Sequence, residues 1–226
     1  MKLFDEIPQK IIISVSGGLD SASLFYLLCK YYPNTEVIVS TGVVKQNPKD
    51  AECARNIVSE MRKRFSNIRK HYEFDIDLED PFWVETSENL FKDSIHNSNS
   101  AIGLSKHLQQ IEGLKKIREE TNVSIFMNAT TQNPNSDYFD EIEPGRSSNI
   151  IRSTITETPY GGKIYSPFIN HDKKFVANIY KIEGLDWLYP LTRSCIASAK
   201  ETNNFEIECG ECYWCKEKAW AFPNYI

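Results

Sequence analysis

The chain has 226 residues, 41% of them apolar and 25% charged, with a formal net charge of −5. This balance supports one large domain, or a domain with a small appendage, and excludes a disordered chain. The acidic excess argues against a general nucleic-acid or membrane binder. No apolar stretch approaches the ~20 residues of a membrane span, and the start "MKLFDEIPQK" does not read as a leader, so a cytoplasmic location is expected.

"KIIISV" is an apolar run that predicts a buried parallel strand. "LDSASLFYLLCKYY" has helical spacing, with Leu24, Leu27 and Leu28 on one face and Pro33-Asn34 as the stop. "EVIVST" predicts a second strand, and "PKDAECARNIVSEMRKRF" a second helix with Pro48 at its start; its "MRKRF" end reads as a solvated face. "IRKHYEFDID" predicts a third strand. This alternation implies right-handed crossovers and a doubly wound parallel α/β sheet. "ENLFKDSIHNSNSA" is mixed, and "SKHLQQIEGLKKIREET" predicts a helix that Gly113 weakens. "VSIFMNA" predicts a fourth strand. Residues 130–160 are polar with little periodicity and read as one long loop over the sheet edge. "KIYSPF" reads as a strand end, and "DKKFVANIYKIEG" as a helix stopped by Gly184.

The first strand runs directly into "SVSGGLDSAS". A strand, two glycines and a helix place free backbone N–H groups at a helix N-terminus, which is an anion site. Gly17 and Gly18 permit close approach and positive φ, Ser16 and Ser21 supply hydroxyls, and Asp20 is placed to face a Mg²⁺ on phosphate oxygens. The string is neither G-x-x-x-x-G-K-[ST] nor G-x-G-x-x-G. The plainer alternative is a tight turn with a serine cap. "SGGLDS" resembles the pyrophosphate loop of the PP-loop ATP pyrophosphatase superfamily, whose members cleave ATP to AMP and pyrophosphate. The resemblance implies that Ser16, Gly17, Gly18, Leu19, Asp20 and Ser21 hold ATP, with Thr41 and Gly42, in the turn after the second strand, near adenine or ribose.

Of six cysteines, Cys29 and Cys53 stand alone in helical patterns, whereas Cys195, Cys209, Cys212 and Cys215 crowd the end of the chain. In a chain with no secretory leader such a cluster points to a metal rather than to disulfides. Four thiolates can close a tetrahedral zinc site; an iron–sulfur cluster or free thiols on a helix are the alternatives. The division expected is a PP-loop domain over residues 1–190 and a cysteine segment over residues 191–226, with little core of its own. Tyr213, Trp214 and Trp220 read as packing around the metal or as a stacking platform for a base.

The loop together with "SC…CGECYWC…AF" is similar to the 7-cyano-7-deazaguanine synthase family, and "YSPFINHDKKF" to that family's proline stretch before a lysine-bearing helix. The resemblance implies an ATP-dependent carbon–nitrogen ligase with Mg²⁺ and Zn²⁺, acting on a deazapurine carboxylate and ammonia as a homodimer, with no membrane and no stable nucleic-acid partner. Lys173, Asp20 and Ser21 carry over as catalytic residues, with Lys163 and Arg193 behind Lys173 in neutralising phosphate charge. The family's substrate-reading string after the fourth strand is replaced here by "NATTQNPNSDYFDE", where Asn128, Asp137 and Asp140 are the candidates for its role. A related adenylating enzyme with another acceptor, a tRNA-thiolating enzyme and a nucleotide sensor without chemistry are the competing functions.

Overall fold

The computed structural model describes residues 3–4, 6–90, 98–142, 144–158 and 161–223. Ile11, Ile12 and Ile13 are all fully buried, because the first strand is covered on both faces. The chain order is β1 (Lys10–Ser14), α1 (Leu19–Tyr31), β2 (Glu36–Val44), α2 (Pro48–Arg64), β3 (Ile68–Ile76), α3 (Pro81–Leu90), α4 (Ser98–Thr121) and β4 (Ile125–Met127). Then follow α5 (Asp137–Ile142), β5 (Ile155–Glu157), β6 (Lys163–Tyr165), α6 (Lys173–Glu183) and α7 (Tyr213–Ala221). The sheet order is β3-β2-β1-β4-β6-β5, parallel except for β5, which pairs antiparallel with β6.

Strand alternation divides the core. Ile11, Ile13, Val37 and Val39 join the larger cluster with residues of α1, α2 and α6, while Ile12, Ile38 and Phe126 join a smaller one with Ile117 of α4. The order reverses between β1 and its neighbours β2 and β4. The carboxyl ends of these strands therefore splay into the crevice where open α/β sheets bind ligands.

The predicted strand, helix, strand, helix, strand opening is present. β2 is longer than predicted, because pairing with β3 continues from Thr41 opposite Glu73 to Val44 opposite Ile76. Thr41 and Gly42 therefore lie within a strand, not in the turn after it. The mixed stretch straddles the end of α3 and the start of α4, and its residues 91–97 lie outside the described ones. Residues 130–160 are not one loop. They carry α5, a 3-10 turn at Pro144–Arg146 and β5; the first two are tied by Asn133, which donates to the Phe139 carbonyl (3.1 Å) and Asp140 (2.9 Å), while Ser147 donates to Asp140 (2.7 Å). Among the described residues no helix is long and apolar enough to cross a membrane.

Gly113 sits in the interior of α4 because Phe74 of β3 packs on it: a Cβ there would lie 2.5 Å from the ring. In an open helix Gly→Ala gains about 1 kcal/mol. Here Gly113→Ala is expected to cost about 1–3 kcal/mol through overpacking. A urea titration measures this, and a raised midpoint would contradict it.

Candidate active site

The phosphate loop is built by local geometry. Gly17 has φ +86°, and a Cβ on it would fall 2.2 Å from the Asp50 carbonyl oxygen, so only glycine lets the loop lie against the start of α2. Gly18 caps α1 without a side-chain hydrogen bond, leaving the first-turn N–H groups to an incoming anion. Ser21 Oγ accepts from the Ser16 N–H (3.2 Å), donates to the Gly18 carbonyl (3.1 Å) and touches Ser16 Oγ (3.2 Å). It braces the loop from a buried position. The Leu19 side chain is fully buried in the core, so only its backbone faces the loop. Thr41 Oγ1 donates to the Val15 carbonyl (2.9 Å) and lies 2.8 Å from His71 Nε2, tying β2 to the strand that delivers the loop.

Lys173 is the first residue of α6, which Asp172 caps by accepting from Lys174 N (2.9 Å) and Phe175 N (3.2 Å). Its side chain is only 3% exposed and lies between two carboxylates, 3.0 Å from Asp20 and 3.1 Å from Glu217. Glu217, fully buried on α7, reaches Arg146 with its other oxygen at 2.8 Å. Arg146 in turn donates to the Thr131 carbonyl (3.0 Å), Thr131 Oγ1 (2.8 Å) and the Tyr213 hydroxyl (3.1 Å), with its guanidinium 4.7 Å from the Trp214 ring centre. Asp20, Lys173, Glu217, Arg146 and Thr131 thus form one chain of contacts from the phosphate loop to the end of β4. Burial pushes the Asp20 pKa up, against the pull of Lys173. Burial also works to lower the Lys173 pKa, but Asp20 and Glu217 outweigh it and hold it above the ordinary lysine value. Asp20 Oδ1 is buried without a hydrogen-bond partner, so an acceptor atom is left for a cation on the phosphates.

Sequence reading missed Glu217 and Arg146. The signal available was that Tyr213 and Glu217 are four apart and share a helix face. Tyr213 is buried and donates to Asn133 (2.6 Å), so it does not stack on a ligand. Arg193 is buried behind the loop: its N–H donates to the Gly17 carbonyl (2.9 Å), its Nη1 donates to the Phe205 and Ile207 carbonyls, and its Nε is 3.7 Å from Asp50. Burial raises the Asp50 pKa to about 6, against Lys106 and Arg193. Lys163 opens β6 opposite Ile125, the first residue of β4, at the amino ends of the parallel strands and so away from the loop, and cannot back Lys173. Asp140 is taken up by Asn133 and Ser147, and Asn128 Oδ1 accepts from Thr130 N (3.3 Å). Asp137 starts α5 with an exposed side chain.

The sulfurs of Cys195, Cys209, Cys212 and Cys215 all lie within 4.8 Å of one another. A tetrahedral ion with metal–sulfur bonds of about 2.3 Å needs sulfurs about 3.8 Å apart, so the four fit one ion after a small contraction. Gly210, at φ +75°, turns the knuckle, and the N–H groups of Cys209 and Cys212 donate to the sulfurs of Cys195 and Cys209, each at 3.3 Å. α7 starts immediately after Cys212. Beyond it Phe222 is buried in the main core against Tyr180 and Tyr189, so this segment shares the core of the sheet domain.

No protein-family model and no curated protein matches the chain. Among solved structures it is similar to the U34-tRNA thiolase NcsA from Methanococcus maripaludis with its [4Fe-4S] cluster, at 17% identity and TM-score 0.52, over 81% of this chain and 59% of that one. It is also similar to the NH3-dependent NAD synthetase from Campylobacter jejuni in complex with nitrate, at 14% identity and TM-score 0.48, over 80% of this chain and 67% of that one. This chain thus spans about three fifths of the thiolase. The likeness to the thiolase shows the fold alone, a mostly parallel α/β sheet, and the C-terminal four-cysteine cluster of this chain is able to hold a metal.

Proposed function

We propose that the protein is an ATP-dependent ligase that adenylates a carboxylate and uses ammonia to form an amide or nitrile, converting 7-carboxy-7-deazaguanine to 7-cyano-7-deazaguanine. The observation that carries this reading is the buried Lys173 beside Asp20 of the phosphate loop, a cation held where a pyrophosphate leaves. The acceptor carboxylate attacks the α-phosphorus of ATP and pyrophosphate departs. Ammonia displaces AMP from the acyl-adenylate to give the amide. A second ATP adenylates the amide oxygen, and loss of AMP with two protons leaves the nitrile. Asp20 would hold a Mg²⁺, which would supply neutralisation of phosphate charge, and the four cysteines would hold a zinc, which would keep the start of α7 in place. The first-turn N–H groups of α1 bind the phosphates, and the loop braced by Ser16 and Ser21 fixes their position. The family resemblance adds a homodimer.

The thiolase reading is the weaker one. Its RNA partner calls for a basic face, and the net charge is −5. The close sulfurs suit a single ion better than a cluster, whose irons each take one thiolate and spread them wider.

The test incubates pure protein with ATP, Mg²⁺, ammonium and 7-carboxy-7-deazaguanine and follows AMP and the base by mass spectrometry. Base-dependent AMP with nitrile product is expected. Amide alone means that the second adenylation is absent. An unchanged base without stimulated AMP, from protein that still binds ATP, means a different acceptor.

A further inference from the structure

The middle segment holds a cation that no acid among the described residues answers. The Arg152 backbone is clamped by one side chain: its N–H donates to Asn170 Oδ1 (2.9 Å), and its carbonyl accepts from Asn170 Nδ2 (2.8 Å). Its Nη2 donates to the carbonyls of Thr131 (3.3 Å) and Ile169, and its Nε is buried without a partner. Among the described residues no carboxylate lies within ion-pair distance of it. Arg146 donates to the same Thr131 carbonyl, so two guanidiniums share one oxygen, and the Arg146 charge is already met by Glu217. Burial first, and then Arg146, press the Arg152 pKa below its ordinary value. A half-buried cation beside a like charge is costly unless a counter-ion arrives.

Its place in the fold says where that counter-ion comes from. Thr131 follows the carboxyl end of β4, on the side of the sheet where the order reverses. The contacts from Asp20 through Lys173, Glu217 and Arg146 end on this same residue. Asn170, which fixes Arg152, is three residues before Lys173. The two cations are therefore positioned by one stretch of chain.

We infer that Arg152 is the residue that binds an oxyanion of the acceptor, and that this oxyanion is a carboxylate. Nη2 is held on the Thr131 and Ile169 carbonyls, and the Nε–H, which meets no acceptor among the described residues, is the donor left for a charge-assisted hydrogen bond to an oxyanion. The carboxylate identity rests on the ligase reading above; the oxyanion site stands on the geometry alone.

The experiment is side-chain NMR on the full chain with Mg²⁺ and a non-hydrolysable ATP analogue. The Arg152 Nε–H resonance is assigned by its loss in Arg152→Lys. It is expected to move on addition of 7-carboxy-7-deazaguanine and of benzoate, and to stay still with 7-deazaguanine, which lacks the carboxylate. Arg152→Gln is expected to weaken binding of the carboxylated base roughly tenfold or more in calorimetry, with Arg152→Lys recovering part of it. Affinity for the ATP analogue serves as the folding control. Movement with benzoate but not with 7-carboxy-7-deazaguanine supports the oxyanion site and sinks the deazaguanine reading. Movement only with inorganic phosphate overturns the carboxylate assignment. A resonance that none of these anions moves overturns the inference.

Discussion

Lys173→Met is expected to lower both stability and turnover more than any other single substitution in the site. Removing the one cation between Asp20 and fully buried Glu217 leaves two carboxylates facing each other. Breaking a buried ion pair from one side costs about 3–5 kcal/mol. For a chain of this size that is a fall in melting temperature of roughly 10 °C. Because Lys173 also stands beside the phosphate loop, AMP formation is expected to drop about a hundredfold or more, as when a preorganised charge is removed from a transition state. The charge-balanced pair Lys173→Met with Glu217→Gln separates the two effects. Glutamine keeps a hydrogen bond to Arg146 and removes the uncompensated charge. The double variant is expected to regain most of the lost stability and none of the lost turnover. Calorimetric melting and an AMP assay on all three variants provide the check. A single variant as stable as the parent would show that Lys173 is not the keystone of this network.

Loss of the cysteine-bound metal is expected to reach the nucleotide site. Four thiolates within 4.8 Å of one another repel without a cation between them, and structural zinc supplies on the order of 10 kcal/mol of apparent folding energy in small zinc-dependent peptides. α7 starts immediately after Cys212 and delivers Glu217 to Lys173 and Arg146, and Phe222 to the core. Cys212→Ser, or removal of the metal by a chelator, therefore frees more than a surface knuckle. Elemental analysis is expected to find one zinc per chain in colourless wild-type protein. Metal-free protein is expected to keep most of its far-ultraviolet dichroism. It should change its tryptophan fluorescence through Trp214 and Trp220, and bind an ATP analogue roughly tenfold more weakly, the cost of disordering one charged contact. Unaltered nucleotide affinity in metal-free protein would reduce the metal to a local staple.

Both results turn on contacts between residues far apart in the chain, whereas the signals legible in the sequence are local. The strand–helix alternation of the first 76 residues, the loop at Ser16–Ser21, the helix stop at Gly184 and the four-cysteine cluster all rest on signals within a few consecutive residues. Hydrophobic period, glycine placement and cysteine spacing are local, and they survive without knowledge of the fold. Lys173 was legible only through the family resemblance. Nothing in "DKKF" distinguishes a buried lysine from a solvated one.

The tertiary structure decided the rest. It carried β2 past Thr41, because pairing with β3 continues to Val44. It set Gly113 under Phe74 and turned a helix-weakening residue into a packing requirement. It removed Lys163 to the amino end of β6, opposite the end where the loop lies, and gave Asp140 a structural task. Above all it brought Asp20, Arg146, Lys173 and Glu217 together from four separate stretches. A charged residue read in sequence defaults to solvent, since burying a charge is unfavourable until a partner is supplied. Only the topology, by closing a 197-residue separation between Asp20 and Glu217 through Lys173, supplies those partners.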